Sequence, residues 1–169
     1  MNSGYIKLSH FSVKEYLLST RVEDYFRIDE KTSHSKISQL SIAYLLQLDH
    51  DDDLLLLTKL WSIPLAQYAA VNWIDHAKSG GVDSTVLQLI LCLFTFESAP
   101  LKKWIQLYNM YNIESRYEHL PWDVDCSVLY YSSLAGIQEV SDCLLNKGEN
   151  PNAKGGRLGN PLQAASYKG

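Results

Sequence analysis

Compared with itself at an offset of 33 residues, the C-terminal part of the chain repeats. Ser127-Val128-Leu129-Tyr130 aligns with Asn160-Pro161-Leu162-Gln163, Ser132 with Ala165, and Gly136 with Gly169. A period of this size marks stacked supersecondary units, each burying its apolar face only against its neighbours. In the first unit Gly136 ends one helix, and Val140, Leu144 and Leu145 make the apolar face of a second. Gly148 ends that helix and Asn152-Ala153 closes the unit. Gly155, Gly156 and Gly159 form a Gly-rich loop suited to turn geometry. The second unit breaks off early, at Gly169.

Upstream, apolar stripes at helical spacing continue through most of the chain. Ile6 and Leu8 alternate with polar residues as in a short strand over Tyr5 to His10. Ser12-Val13-Lys14-Glu15 has the S-x-x-E form of a capping box, predicting a helix to about Thr20 with Val13, Tyr16 and Leu17 on one face. Tyr25 to Ile28 reads as a short extended piece. From Ser33 a helix is expected with Ile37, Leu40, Tyr44, Leu45 and Leu48 on one stripe, ending at the acidic turn Asp49 to Asp53. Leu54 to Leu60 follows as another. Ser62 and Pro64 open the next, faced by Leu65, Tyr68, Ala69, Trp73 and Ala77 and closed by Gly80-Gly81. Ser84 is the expected cap of a helix carrying Val86, Leu87, Ile90, Leu91 and Phe94. Ser98 with Pro100 starts one carrying Leu101, Trp104, Ile105 and Tyr108. Trp73 and Trp104 should be buried, and Asp51 to Asp53 exposed.

Composition narrows the class. At 46% hydrophobic and 20% charged residues, the 169-residue chain is expected to be globular. A net charge of -4 without any basic run argues against a nucleic-acid surface. The longest apolar stretch, Leu87 to Phe96, reaches half of the ~20 residues a membrane span needs. The N-terminus lacks a secretory leader pattern. Cys92, Cys126 and Cys143 are odd in number and contain no C-x-x-C, so a reducing, cytoplasmic setting is expected.

Candidate chemistry is sparse. Asp49, Asp51 and Asp53 have the first spacings of an EF-hand loop, but Leu54 and Leu60 stand where Gly and Glu are required. His10, His34, His50, His76 and His119 form no i, i+4 pair and no H-E-x-x-H, so no metal site or catalytic histidine is expected. Cys92 and Cys143 read as small buried hydrophobes rather than nucleophiles. Trp61, Trp73, Trp104 and Trp122 read as packing residues. No G-x-x-x-x-G-K-[ST] phosphate loop is present, so neither nucleotide nor any other cofactor is expected.

Two segments carry a family resemblance. Ser127 to Ala153 resembles the ankyrin pattern T-P-L-H-x-A-A-x-x-G followed by a second helix, L-L, a Gly turn and N-A. His10-Phe11-Ser12-Val13-Lys14-Glu15-Tyr16-Leu17 looks like the H-F-S-V-K-E-Y-L signature of fungal NACHT-type (STAND) receptors, where it lies in a winged-helix region. Pro64 to Ala70 and Trp73 to His76 are similar to the P-L-x-x-Y-A-A and W-x-x-H stretch that follows there. The resemblance implies a mainly all-α chain with three parts: a winged-helix-like segment over 1–31, a helical spacer over 32–120, and ankyrin repeats over 121–169, one complete and one truncated. It also implies a non-catalytic, protein-binding piece of a signalling receptor, cut at both ends. Its contact positions would be Leu134, Ala135, Arg157, Tyr167 and Lys168. The competing readings are a truncated gene product without independent activity and a hydrolase lacking a recognisable site.

Overall fold

The structure, a computed structural model, describes residues 10–48, 65–95, 98–111, 126–156 and 158–168. They form α1 (Phe11–Leu18), α2 (Glu30–Gln47), α3 (Ala66–Gly80), α4 (Ser84–Leu93), α5 (Ala99–Tyr111), α6 (Val128–Ala135), α7 (Gln138–Asn146) and α8 (Pro161–Lys168). The chain is mainly helical, and among the described residues the one extended pairing is the antiparallel bridge between Gly155 and Gly159. No described helix is long and apolar enough to cross a membrane. The expected strand (apart from His10), the helix over Leu54 to Leu60, the Ser62 cap and Asp49 to Asp53 lie outside the described residues.

The N-terminal helix starts earlier than the capping box implies. His10, not Ser12, is the N-cap: its Nδ1 accepts from the Ser12 amide, and the helix begins at Phe11. This helix buries none of its residues, and Val13 and Tyr16 are exposed. Tyr25 to Ile28 is not extended, because Phe26 N and Arg27 N bond back to Glu23 O and close a turn. Residues 10–29 therefore form one helix and a turn, without the strands of a wing.

The tightest interface is α2 on α3, and small side chains set it. The helix α2 is capped by Asp29, whose carboxylate accepts from Thr32 N at 2.6 Å, so it begins before Ser33. Its inward face is Ser35, Ser38, Ser41, Ile42 and Leu45, while Leu40 of the expected stripe points outward. On the facing helix Ala66, Ala69, Ala70, Trp73, Ile74, Ala77 and Gly80 are buried, whereas Leu65 and Tyr68 are exposed. Buried serines are tolerated because their hydroxyls bond locally, as Ser38 Oγ does to Ser35 O at 2.9 Å. At Gly80 the backbones nearly touch: a Cβ there would stand 2.7 Å from Ser35 Cα and collide with Ser35 N.

Above this interface lies an aromatic cluster. Trp73 and Trp104 are buried, as expected, and meet edge to face at 5.5 Å between centroids. Phe94 stacks on Trp104 at 5.6 Å and reaches Tyr131 of α6 at 6.4 Å. The core is thereby continuous from Ile42 to Ala164.

The 33-residue offset is visible in three dimensions. The helices α6 and α8 are both eight residues long and start 33 positions apart. Each is capped by the residue before it: Ser127 Oγ accepts from Tyr130 N at 3.2 Å, and Asn160 Oδ1 from Gln163 N at 2.9 Å. Gly136, at φ 65°, turns the chain from α6 into α7. The Gly155–Gly159 finger lies against the Tyr130 ring, which leaves no room for a Cβ at Gly155, and Leu158 N donates to Tyr130 Oη at 3.3 Å.

Two stability outcomes follow from this packing. Gly80→Ala should force α2 and α3 apart and cost about 1–3 kcal/mol by overpacking, read from urea unfolding. The two tryptophans should respond unequally to Phe. Trp104 Nε1 donates to Ala70 O at 3.0 Å, whereas buried Trp73 Nε1 has no acceptor among the described residues. Trp104→Phe should therefore destabilise more than Trp73→Phe, by about 1–2 kcal/mol; equal losses would contradict the assignment.

Candidate functional site

Two features of the described surface bring chemistry together. One is a polar chain across the α2–α3 interface. His34 Nδ1 and His76 Nδ1 lie 2.7 Å apart, with their ring centroids at 4.9 Å. His76 Nε2 is 2.6 Å from Tyr68 Oη. Two lone pairs or two N–H groups would repel at 2.7 Å, so the histidines share one proton between them. Burial, reinforced by the neighbouring His34 and opposed by Asp75, holds His76 below the usual imidazole value. Both histidines are half-buried.

Next to this chain Asp83 joins three elements. Its Oδ1 accepts from Val86 N at 2.8 Å, capping α4, and its Oδ2 accepts from Ser35 Oγ of α2 at 3.1 Å. The cap is thus Asp83 rather than Ser84. Its carboxyl is held below the ordinary value, first by the Val86 amide and also by the Ser35 hydroxyl, with burial opposing.

The other feature is a groove of about 540 Å³ between α6, α7 and α8. Leu129, Ile137, Leu145, Pro161 and Leu162 make its apolar walls, Ser133 and Ser141 add hydroxyls, and Lys78 stands at the α3 side. Leu145 and Leu162 are exposed along its rim. The Ser141 and Ser132 hydroxyls bond each other at 2.9 Å, stitching α7 to α6 beneath it.

The sequence-derived contact positions do not converge here. Leu134 and Ala135 are buried at 4% and 1% exposure, because all of α6 is enclosed by its neighbours, so neither can meet a partner directly. Tyr167 is exposed on α8. Lys168 ends that helix, and its side chain, like all of Arg157, lies outside the described residues. Cys92, read as buried, is exposed, since α4 turns Val86, Ile90 and Leu93 inward instead. The histidine pair was missed because its members are 42 residues apart and meet only through helix pairing. Among the described residues no group of three or more His, Cys, Asp and Glu is poised around a common point.

No known family pattern matches the chain, and no solved structure does. Among curated proteins the chain is similar to the azaphilone pigments biosynthesis cluster protein L of Monascus ruber, with 31% identity over 182 aligned positions covering 96% of this chain. The chain spans 38% of that protein's length. These findings overturn the reading as part of a NACHT-type ankyrin-repeat signalling receptor: neither pattern is matched, and the similar protein belongs by name to pigment biosynthesis. The signature octapeptide that suggested it covers α1, a surface helix without buried residues, which constrains the rest of the fold little.

Acid sensitivity can be assigned to the caps. A carboxyl whose folded-state value is depressed gives stability that is full above its unfolded value of 3.8 and is lost as pH falls through the folded value. Asp29 acts in the same direction. Because Asn also caps helices well, an Asp29→Asn, Asp83→Asn double variant should stay folded and lose less of its melting temperature between pH 5 and pH 2 than the parent. An unchanged pH profile would refute the assignment.

Proposed function

We propose that this chain is non-catalytic and protein-binding and serves small-molecule biosynthesis of the pigment-cluster kind, acting in the cytoplasm. The metabolic context rests on the similarity to the Monascus ruber cluster protein, which extends over nearly the whole chain. The binding role rests on the groove. Its apolar walls and exposed Leu145 and Leu162 present contiguous hydrophobic surface beside hydroxyls, the composition of a partner-docking surface. In this reading the contact residues are Leu145, Leu162 and Tyr167 rather than Leu134 and Ala135. The partner is a protein, with neither nucleic acid nor nucleotide engaged by this segment.

The finer architecture belongs to the same proposal. Residues 127–168 are read as one complete and one partial unit of a 33-residue helix-pair repeat, set on the described helices α2 to α5 and preceded by a separate segment over 1–31. A second occupant of the groove is favoured by one observation: about 540 Å³ lies within the range of small-ligand pockets. An apolar product or intermediate of the cluster would fit those walls.

Deleting the gene in the organism that carries it, then profiling extracted metabolites, tests the context. The expected result is the loss or alteration of a pigment-type product, and an unchanged profile would sink the metabolic reading. Complementation with a Leu145→Asp, Leu162→Asp variant should fail to restore the product although both positions are exposed. Full restoration would remove the groove from the account.

A further inference from the structure

The Tyr68–His76–His34 chain has no part in the groove or in the packing that forms it, yet it is held with care. Gly80 sits one helical turn beyond His76 on α3, and a Cβ there would meet the backbone of His34 and Ser35. That close approach fixes the register of α2 on α3 at the level of the two imidazoles. Ser35, next to His34, is bound in turn by Asp83. Two ring nitrogens from different helices are therefore aimed at one point by backbone contacts rather than by flexible side chains.

We propose that His34 and His76 form a binding site for a divalent transition metal of the zinc and copper class, coordinated by their two Nδ1 atoms between α2 and α3. Imidazole nitrogen bonds zinc at about 2.0–2.1 Å, which at a tetrahedral angle separates two such nitrogens by roughly 3.3 Å. The observed 2.7 Å is the spacing of the hydrogen-bonded state. Opening it by about 0.6 Å is within reach of small side-chain rotations, and the metal then replaces the shared proton. Each ring carries its own proton on Nε2, and no net proton is lost from a neutral pair. His76 Nε2 is then the donor to the Tyr68 hydroxyl oxygen, already at 2.6 Å. This is the usual outer contact of a metal-bound histidine, orienting the ring and raising its basicity.

The surroundings suit a cation. Asp75 is the carboxylate whose charge acts on His76 from the same helix. With two protein ligands, the remaining coordination positions go to water. Imidazole donors select Cu²⁺ and Ni²⁺ at least as strongly as Zn²⁺, and neither Mg²⁺ nor Ca²⁺.

Calorimetric titration of the metal-stripped 169-residue chain at pH 7.5 with Zn²⁺, Cu²⁺ and Mg²⁺ tests this. One Zn²⁺ equivalent in the micromolar range is expected, tighter Cu²⁺ binding, and no Mg²⁺ response. His34→Gln and His76→Gln should each weaken zinc binding at least tenfold, and Tyr68→Phe by a smaller factor. In the unmutated protein, substoichiometric Cu²⁺ should selectively broaden the His34 and His76 ring resonances, a readout independent of how the variants fold. Binding of equal strength in the parent and the His34→Gln, His76→Gln double variant would overturn the site. So would broadening centred on Cys92 or on other histidines, or a parent that binds no zinc at millimolar concentration; each leaves the pair as a hydrogen bond only.

Discussion

Large rings can be buried only where their shapes and faces agree, and in this chain one run of them links elements far apart in sequence. Trp73 on α3 meets Trp104 on α5. Phe94, just past α4, lies against both, and Tyr131 on α6 touches Phe94. Edge-to-face and stacked pairs contribute about 0.5–1.5 kcal/mol each beyond the area they bury. Their larger consequence is geometric. Because Trp104 also donates to Ala70 O, the tilt of α5 on α3 is set by a directional bond as well as by volume. Tyr131 carries that frame into the C-terminal helices, where its hydroxyl accepts from Cys126 N at 3.0 Å and holds the entry to α6. The repeat-like end is thus built onto the helical block and shares its core.

Much of this was legible in the sequence where apolar residues alone decide the face. Trp73, Ala69 and Ala77 on α3, Val86 and Ile90 on α4, and Leu101, Trp104 and Ile105 on α5 all fall inward as their spacing implies. The helix ends at Gly80-Gly81 and Gly136 were equally readable, since φ of 80° at Gly81 and 65° at Gly136 are conformations other residues rarely adopt. Caps were legible only to within a few positions. Ser84 and Asp83 are both competent cap residues, and the choice between them is made by Ser35 Oγ from another helix, which no local pattern contains. The inward face of α2 was misread for a related reason. Its serines look polar in sequence, but opposite Ala77 and Gly80 their small size matters more than their hydroxyls, which bond within the helix or to Asp83.

Function was less legible than fold, and the cause is where the information sits. The octapeptide His10–Leu17 pointed to one family, yet it occupies an exposed helix whose sequence the core does not dictate. Similarity to the Monascus ruber protein runs through 96% of the chain rather than through one short segment. The contact positions drawn from a repeat pattern failed at Leu134 and Ala135 for a physical reason. Every residue of α6 is buried, because α7, α8 and the aromatic cluster surround it. The groove became visible only once α7 and α8 were placed on either side of that helix.

The groove and the histidine pair make opposite demands on the fold. The pair needs two helices fixed in register, and it lies beside the close backbone approach of Ser35 and Gly80. The groove needs surface that remains uncovered, and it is bounded by α8, an eight-residue helix whose inward residues are Pro161 and Ala164. A helix that short gains little from its own hydrogen bonds and depends on docking for its order. Local opening should therefore cost less at α8 than across α2 and α3, whose approach at Ser35 and Gly80 leaves no room even for a methyl group. The two proposed sites thus draw on parts of the fold held to different degrees, and the aromatic cluster joins those parts in one core.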